Sequence, residues 1–159
     1  MNTIKRQQLR AIIHGSLGII VGLFSGVALT YSAVAEVSLW PLYTTDWQMP
    51  GDAALWRAAH SGSLMNGIMC IALTQALNLV NADGKSAAHI CNALILMVWG
   101  NIIFYIARIW GTTRGLALKS EQYGEGNLFD AVALFPALVA MLTALYAVIK
   151  LIQLARSNR

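Results

Sequence analysis

Marked for its apolar positions, the chain divides into four long hydrophobic stretches, approximately 11–36, 56–80, 88–110 and 128–152, separated by short polar segments. Roughly 20 apolar residues suffice to cross a bilayer as a helix, and each stretch reaches that length. The runs are continuously apolar rather than alternating, which argues against the strands of a membrane barrel. The pattern predicts an all-α membrane protein: one four-transmembrane-helix bundle over residues 1–159, with almost no soluble part. The connection from Val37 to Leu55 holds Trp40, Pro41, Tyr43, Trp47 and Pro50, and resembles an interfacial cap. The next, Asn81 to Ala87, is a short turn built on Asn81, Ala82, Asp83 and Gly84. The last, Gly111 to Asn127, is rich in glycine and polar residues and reads either as a surface loop or as a lid.

Composition agrees with a membrane setting. The 159 residues are 57% hydrophobic and 11% charged, with a mean hydropathy of +0.59, where a soluble domain carries about a quarter charged residues. The first stretch is too long for a removable signal peptide and lacks a small-residue cleavage site after it. Positive charge orients the bundle. Lys5, Arg6, Arg10, Lys85, Lys150, Arg156 and Arg159 fall on one side. Arg57, Arg108, Arg114 and Lys119 fall on the other, offset by Glu36, Asp46, Asp52, Glu121 and Glu125. The bias places both termini in the cytoplasm. A net charge of +4 gathered at chain ends suits anionic lipid headgroups, not nucleic acid, for which no basic patch with interleaved aromatics exists. Cys70 and Cys91 lie inside apolar stretches and read as packing residues. No Cys-x-x-Cys-His is present, so any haem would be held non-covalently.

Polar side chains inside hydrocarbon are costly and become site candidates by default. They gather on the two central helices. Asn101, Tyr105 and Arg108 at i, i+4 and i+7 share one face, while His60, Ser63 and Asn66 advance by three. The short connection makes these helices antiparallel. His60 and Tyr105 then lie four or five residues from the same end, and Asn66 and Asn101 about ten, roughly 15 Å deep at 1.5 Å per residue. An intramembrane histidine is commonly a hydrogen-bonded packing residue, but neutral imidazole is also a metal ligand and the usual proximal ligand of haem. Gly62 and Gly67 would clear room for a flat macrocycle, or equally for a neighbouring helix. No His-x-x-His or Glu-x-x-His favours zinc or di-iron. His14 and His89 sit towards the opposite ends of their helices, too deep to join His60 on one haem within one subunit. No acid or base stands beside a serine or cysteine to make a nucleophile. Asp130 opens the fourth stretch, where an acid suits a helix N-terminus. Gly18, Gly22 and Gly26 at four-residue spacing give the first helix a face for close approach, and Pro136 is expected to kink the fourth.

Trp56-Arg57-Ala58-Ala59-His60-Ser61-Gly62 with Asn66-Gly67, then Trp99-Gly100-Asn101 with Phe104-Tyr105, resembles the styrene oxide isomerases. So do Arg114-Gly115-Leu116 and Gln122-Tyr123-Gly124-Glu125-Gly126. The likeness covers roughly residues 40–145 and is weak over the first helix. It implies a bacterial-type inner-membrane isomerase dependent on haem b, turning aryl epoxides into aldehydes, assembled as a homotrimer with haem at subunit interfaces. It also implies His60 as the axial ligand of ferric haem iron and Asn66 and Tyr105 as catalytic residues at the epoxide oxygen. Asn101, Ser63 and Trp99 would be further pocket residues. Met97 and Asn127 stand where the family pattern has acids, and Tyr123 where it has phenylalanine, which bears on substrate range. The other readings are a haem-binding membrane sensor or electron carrier of the same fold, and a structural membrane protein without cofactor.

Overall fold

The computed structural model describes residues 3–158, so Arg159, counted in the charge bias, lies outside the described residues. Four helices dominate: α1 (Thr3–Val34), α2 (Ala53–Leu79), α3 (Gly84–Ala107) and α4 (Leu128–Ser157). A short 3-10 turn, Arg108–Trp110, extends α3. Three of them, α1, α3 with its extension, and α4, are long and apolar enough to cross a membrane. The fourth, α2, is 27 residues long but carries the polar stripe of His60, Ser63 and Asn66, which lowers its hydropathy.

Helix ends differ from the hydropathic reading for local reasons. α1 begins at Thr3, well before residue 11, because the polar Gln7 and Gln8 are buried, and Gln8 Nε2 donates to the Thr74 carbonyl of α2 at 3.1 Å. α3 starts at Gly84 because Asp83 caps it, accepting from the Lys85 and Ser86 backbone at 2.8 and 2.9 Å. α4 runs through Pro136 without interruption to Ser157.

Both connections expected at the far end contain short antiparallel hairpins instead of plain loop. Strands β1 (Glu36–Leu39) and β2 (Tyr43–Asp46) pair Glu36 with Asp46 and Leu39 with Tyr43. Trp47 stacks edge-on against Tyr31 of α1 with centroids 5.7 Å apart, and Trp56 Nε1 donates to the Pro50 carbonyl at 2.8 Å. Those two aromatic contacts tie the cap to the helix ends. Strands β3 (Lys119–Ser120) and β4 (Gly124–Glu125) form a smaller hairpin in the second connection.

α3 is central. It packs against α1, α2 and α4, whereas α4 rests on α3 and barely touches α2. The main apolar core runs along α3 through Ile90, Leu94, Met97, Val98 and Ile102. Small residues set the separations. Ala133, Ala140 and Ala147 repeat every seven positions along the buried seam of α4. On the α1–α2 face, a Cβ at Gly67 would lie 2.5 Å from the Gly15 carbonyl oxygen, so this contact is backbone against backbone. Gly18, Gly22 and Gly26 each meet a neighbouring helix, where an added Cβ would lie 2.7–2.9 Å from Val98, Leu64 or His60, so the four-residue spacing does serve close approach, and Gly15 extends the stripe.

Candidate active site

His60 lies on α2, half-buried, directly against α1. Its Nδ1 is 2.8 Å from the Gly22 carbonyl oxygen. A carbonyl only accepts, so Nδ1 carries a proton, and in the neutral ring Nε2 keeps its lone pair. Nε2 has no hydrogen-bond partner among the described residues. Gly26 makes room for the ring: a Cβ there would come within 2.7 Å of Nδ1.

The layer beside it is built by α2 and α3 together. Asn66 Nδ2 donates to the Gly62 carbonyl at 2.7 Å, and its Oδ1 accepts from Asn101 Nδ2 at 3.2 Å. Asn101 thus fixes which way the Asn66 amide faces, and Asn66 retains one unengaged N–H. Tyr105 lies across Gly62, where a Cβ would fall 2.3–2.5 Å from the phenol ring and hydroxyl. The depth pairing of Tyr105 with the His60 end, and of Asn66 with Asn101, is present in the bundle. The two glycines do not open a macrocycle slot, however. Tyr105 occupies the space over Gly62, and α1 occupies that over Gly67.

The remaining candidates are distributed differently. Ser63 is fully buried between His60 and Asn66 along α2, and its hydroxyl has no partner among the described residues. Trp99 turns away from this layer: its Nε1 donates to His14 Nδ1 at 3.0 Å, with the rings edge-on. It lies six residues, roughly 9 Å, before Tyr105 along α3, and joins α3 to α1 at a deeper level. Arg108 places its guanidinium 4.9 Å from the Phe104 ring, with Nε buried and unpaired, so this cation leans on an aromatic face. Cys70 donates to the Ala11 carbonyl at 3.4 Å and Cys91 sits in the core, both as packing residues.

Asp130 is fully buried and belongs to the architecture of the second connection. Its carboxylate accepts from the backbone N–H of Thr112, Thr113, Gly115 and Asn127 at 2.8–3.1 Å. Asn127 reciprocates as a capping box, accepting from Asp130 N at 3.2 Å, and donates to the Trp110 carbonyl. The connection is folded around one carboxylate. Sequence reasoning found the acid but not its four partners, which are backbone groups. It likewise had no signal for the Gly22 carbonyl beneath His60, apart from the glycine spacing that lets α1 come close.

The family model described as styrene oxide isomerase matches residues 7–156, all four helices. A styrene-oxide isomerase of Pseudomonas fluorescens is 34% identical over 124 residues, covering 78% of this chain and 73% of that protein. The chain belongs to the styrene oxide isomerase family. Membership makes it an epoxide isomerase by class, and it extends the likeness over α1, where the motifs were weak. The family departures acquire local explanations. Met97 is fully buried beside Leu94 and Val98, in apolar surroundings that suit methionine. Asn127 caps α4, a task that asparagine and aspartate perform equally well. Tyr123 lies under Arg114, whose guanidinium is 5.6 Å from its ring centre.

Proposed function

We propose that this protein isomerises aryl epoxides such as styrene oxide to aldehydes, with ferric haem b held non-covalently on His60. The observation that carries the reading is the state of that imidazole. With Nδ1 bonded to the Gly22 carbonyl, Nε2 is left as the donor atom. A backbone carbonyl that orients the far nitrogen is the usual support of a metal-bound histidine, so His60 fits the role of a residue that would hold the haem iron.

When bound, ferric haem supplies a Lewis acid for the epoxide oxygen, an effect worth several kcal/mol. The chain's own residues do the rest. The Tyr105 hydroxyl and the free N–H of Asn66 donate to the oxygen as negative charge gathers there, each donor worth about 10²–10³ in rate. Asn101 keeps the Asn66 amide turned the right way. As the benzylic C–O bond opens, a hydride moves from the oxygen-bearing carbon to the benzylic carbon and the carbonyl forms. No proton enters or leaves the protein, so Tyr105 keeps its own. This agrees with a layer whose polar members are an imidazole, a phenol, a hydroxyl and two amides, with no carboxylate. A half-buried site within lipid limits water that would trap the cation as a diol.

In this reading α2 crosses the membrane with the other three helices, both termini face the cytoplasm of a bacterial-type inner membrane, and an apolar epoxide arrives from the lipid. The chain assembles as a homotrimer with haem at subunit interfaces. Support comes from α1, where Leu23, Phe24 and Val27, beside the glycines that receive His60, are exposed, Phe24 by 71%. The test is direct: protein purified in detergent gives a haem Soret band and converts added styrene oxide to phenylacetaldehyde. A readily reduced haem with no aldehyde formed would favour a sensor or electron-transfer protein instead.

A further inference from the structure

At the end of the bundle that carries the termini, α3 and α4 leave a cleft that the site above does not use. It encloses about 260 Å3, with Asp83, Lys85, Ser86, His89, Tyr146 and Lys150 among its walls. A carboxylate in such a place would ordinarily repel an anion. Here Asp83 is already committed: its oxygens accept from the backbone N–H of Lys85 and Ser86 and from the Ser86 hydroxyl at 2.7–2.9 Å. The ammonium groups of Lys85 and Lys150 form no ion pair among the described residues, where the pair Lys119–Glu125 lies at the opposite end. The other six carboxylates, Glu36, Asp46, Asp52, Glu121, Glu125 and Asp130, also lie at that opposite end. The cleft therefore offers two unpaired cations, an imidazole and a phenol, with one carboxylate turned into a helix cap.

A second hollow of about 360 Å3 shares His89 and Tyr146 with the first and continues along the same two helices past Ala93, Leu96 and Thr143. Thr143 turns its hydroxyl back to the Val139 and Ala140 carbonyls at 2.9 and 3.1 Å, leaving its methyl to the groove. Asn92, also on this wall, has its side-chain oxygen engaged by Arg10 of α1. Leu96 lies 11 residues beyond Lys85, roughly 16 Å towards the bilayer centre. Both helices are long and apolar enough to cross a membrane. The Lys150 end of α4 is 22 residues from Leu128, roughly 33 Å, and so falls at the membrane surface opposite the hairpins.

We propose that this continuous cleft binds one anionic phospholipid, with its phosphate between Lys85 and Lys150 and an acyl chain along Leu96 and Thr143. A free phosphate ion shares the headgroup chemistry but would fill only the first hollow, whereas a phospholipid fills both. The lipid bridges α3 to α4, the helix with the fewest protein neighbours, and fastens the end of the bundle furthest from the active site.

Delipidated full-length protein in detergent, titrated with dioleoyl-phosphatidylglycerol and examined by native mass spectrometry, tests the assignment. One lipid should bind per chain. Lys85→Gln with Lys150→Gln should weaken it about thirtyfold, from about 1 kcal/mol per lysine near an anionic headgroup. Leu96→Trp, at a position 52% exposed, should block the groove and weaken binding with no change of charge. Lys119→Gln, at the other end, should bind as the parent does. Dioleoyl-phosphatidylcholine should bind at least about tenfold more weakly, and millimolar inorganic phosphate should not displace the anionic lipid. Equal binding of the two lipids, or an unaffected double lysine variant, would overturn the proposal. So would displacement by inorganic phosphate with Leu96→Trp indifferent, which would make the cleft a site for the free ion. Unchanged helix content by circular dichroism ties any loss to the cleft.

Discussion

A histidine with one nitrogen tied to a carbonyl and the other unengaged is chemically unsymmetrical, and the catalytic account depends on that asymmetry. Gly26 permits it, since a larger residue there would push the ring off the Gly22 carbonyl. In the proposed mechanism Tyr105 and Asn66 are the donors to the epoxide oxygen, and their individual contributions are separable. Tyr105→Phe removes one hydroxyl while keeping the ring over Gly62. It should lower kcat by about 10²–10³ and leave the Soret band unchanged, as read from aldehyde formation and the absorption spectrum of one sample. Gly62→Ala keeps both functional groups but drives a methyl into the phenol. A displacement of about 1 Å costs about a hundredfold in rate, so the same assay should report a large loss of kcat with haem still bound. At this scale the sequence was informative about identity and depth, because polar groups in an apolar helix are conspicuous. It was silent about Gly22, since every residue carries a carbonyl and its partnership leaves no trace in composition.

Among the elements, the second connection and α4 are joined by a single buried acid. Asp130 satisfies four backbone N–H groups that would otherwise be orphaned in a buried corner. Asp130→Asn keeps the size but replaces one acceptor oxygen with a donor facing the same N–H groups. It should cost about 3 kcal/mol, visible as a lower Tm in detergent. The turn between α2 and α3 offers a gentler test. Bonds from the Ser86 backbone and hydroxyl and the Lys85 backbone hold the Asp83 carboxyl below its ordinary 3.8. A depressed folded-state pKa adds stability that is present above pH 3.8 and is lost as the pH falls through the lower folded value. The parent should therefore lose Tm on acidification through that window more than Asp83→Asn does. The group is fully exposed, so the difference should be small. Helix ends were the least legible feature in the sequence. The first apolar stretch starts near residue 11, yet the contact of Gln8 with α2 carries the helix back to Thr3. Hairpins beside Trp47 and Tyr123 had no strand-length apolar alternation to announce them.

For the whole molecule, three helices arranged around α3 bring the polar stripes of α2 and α3 together in the half of the bundle nearer the hairpins. The four helices were readable from the apolar stretches, and three of them are long and apolar enough to cross a membrane, where few alternatives to helices exist. The position of α4 against α3 alone was not readable, since its seam of Ala133, Ala140 and Ala147 is indistinguishable in hydropathy from its lipid face. The family match over residues 7–156 joins these parts into one enzyme class. His60 Nε2 is, on this proposal, the atom that holds haem iron. The most direct test is a haemin titration of haem-free protein, comparing the parent with His60→Gly in the presence and absence of free imidazole. One haem per chain is expected in the parent, no specific Soret band in the variant, and recovery of that band when imidazole is added. Stoichiometric haem binding by His60→Gly without imidazole, with the parent's spectrum, would contradict the proposal.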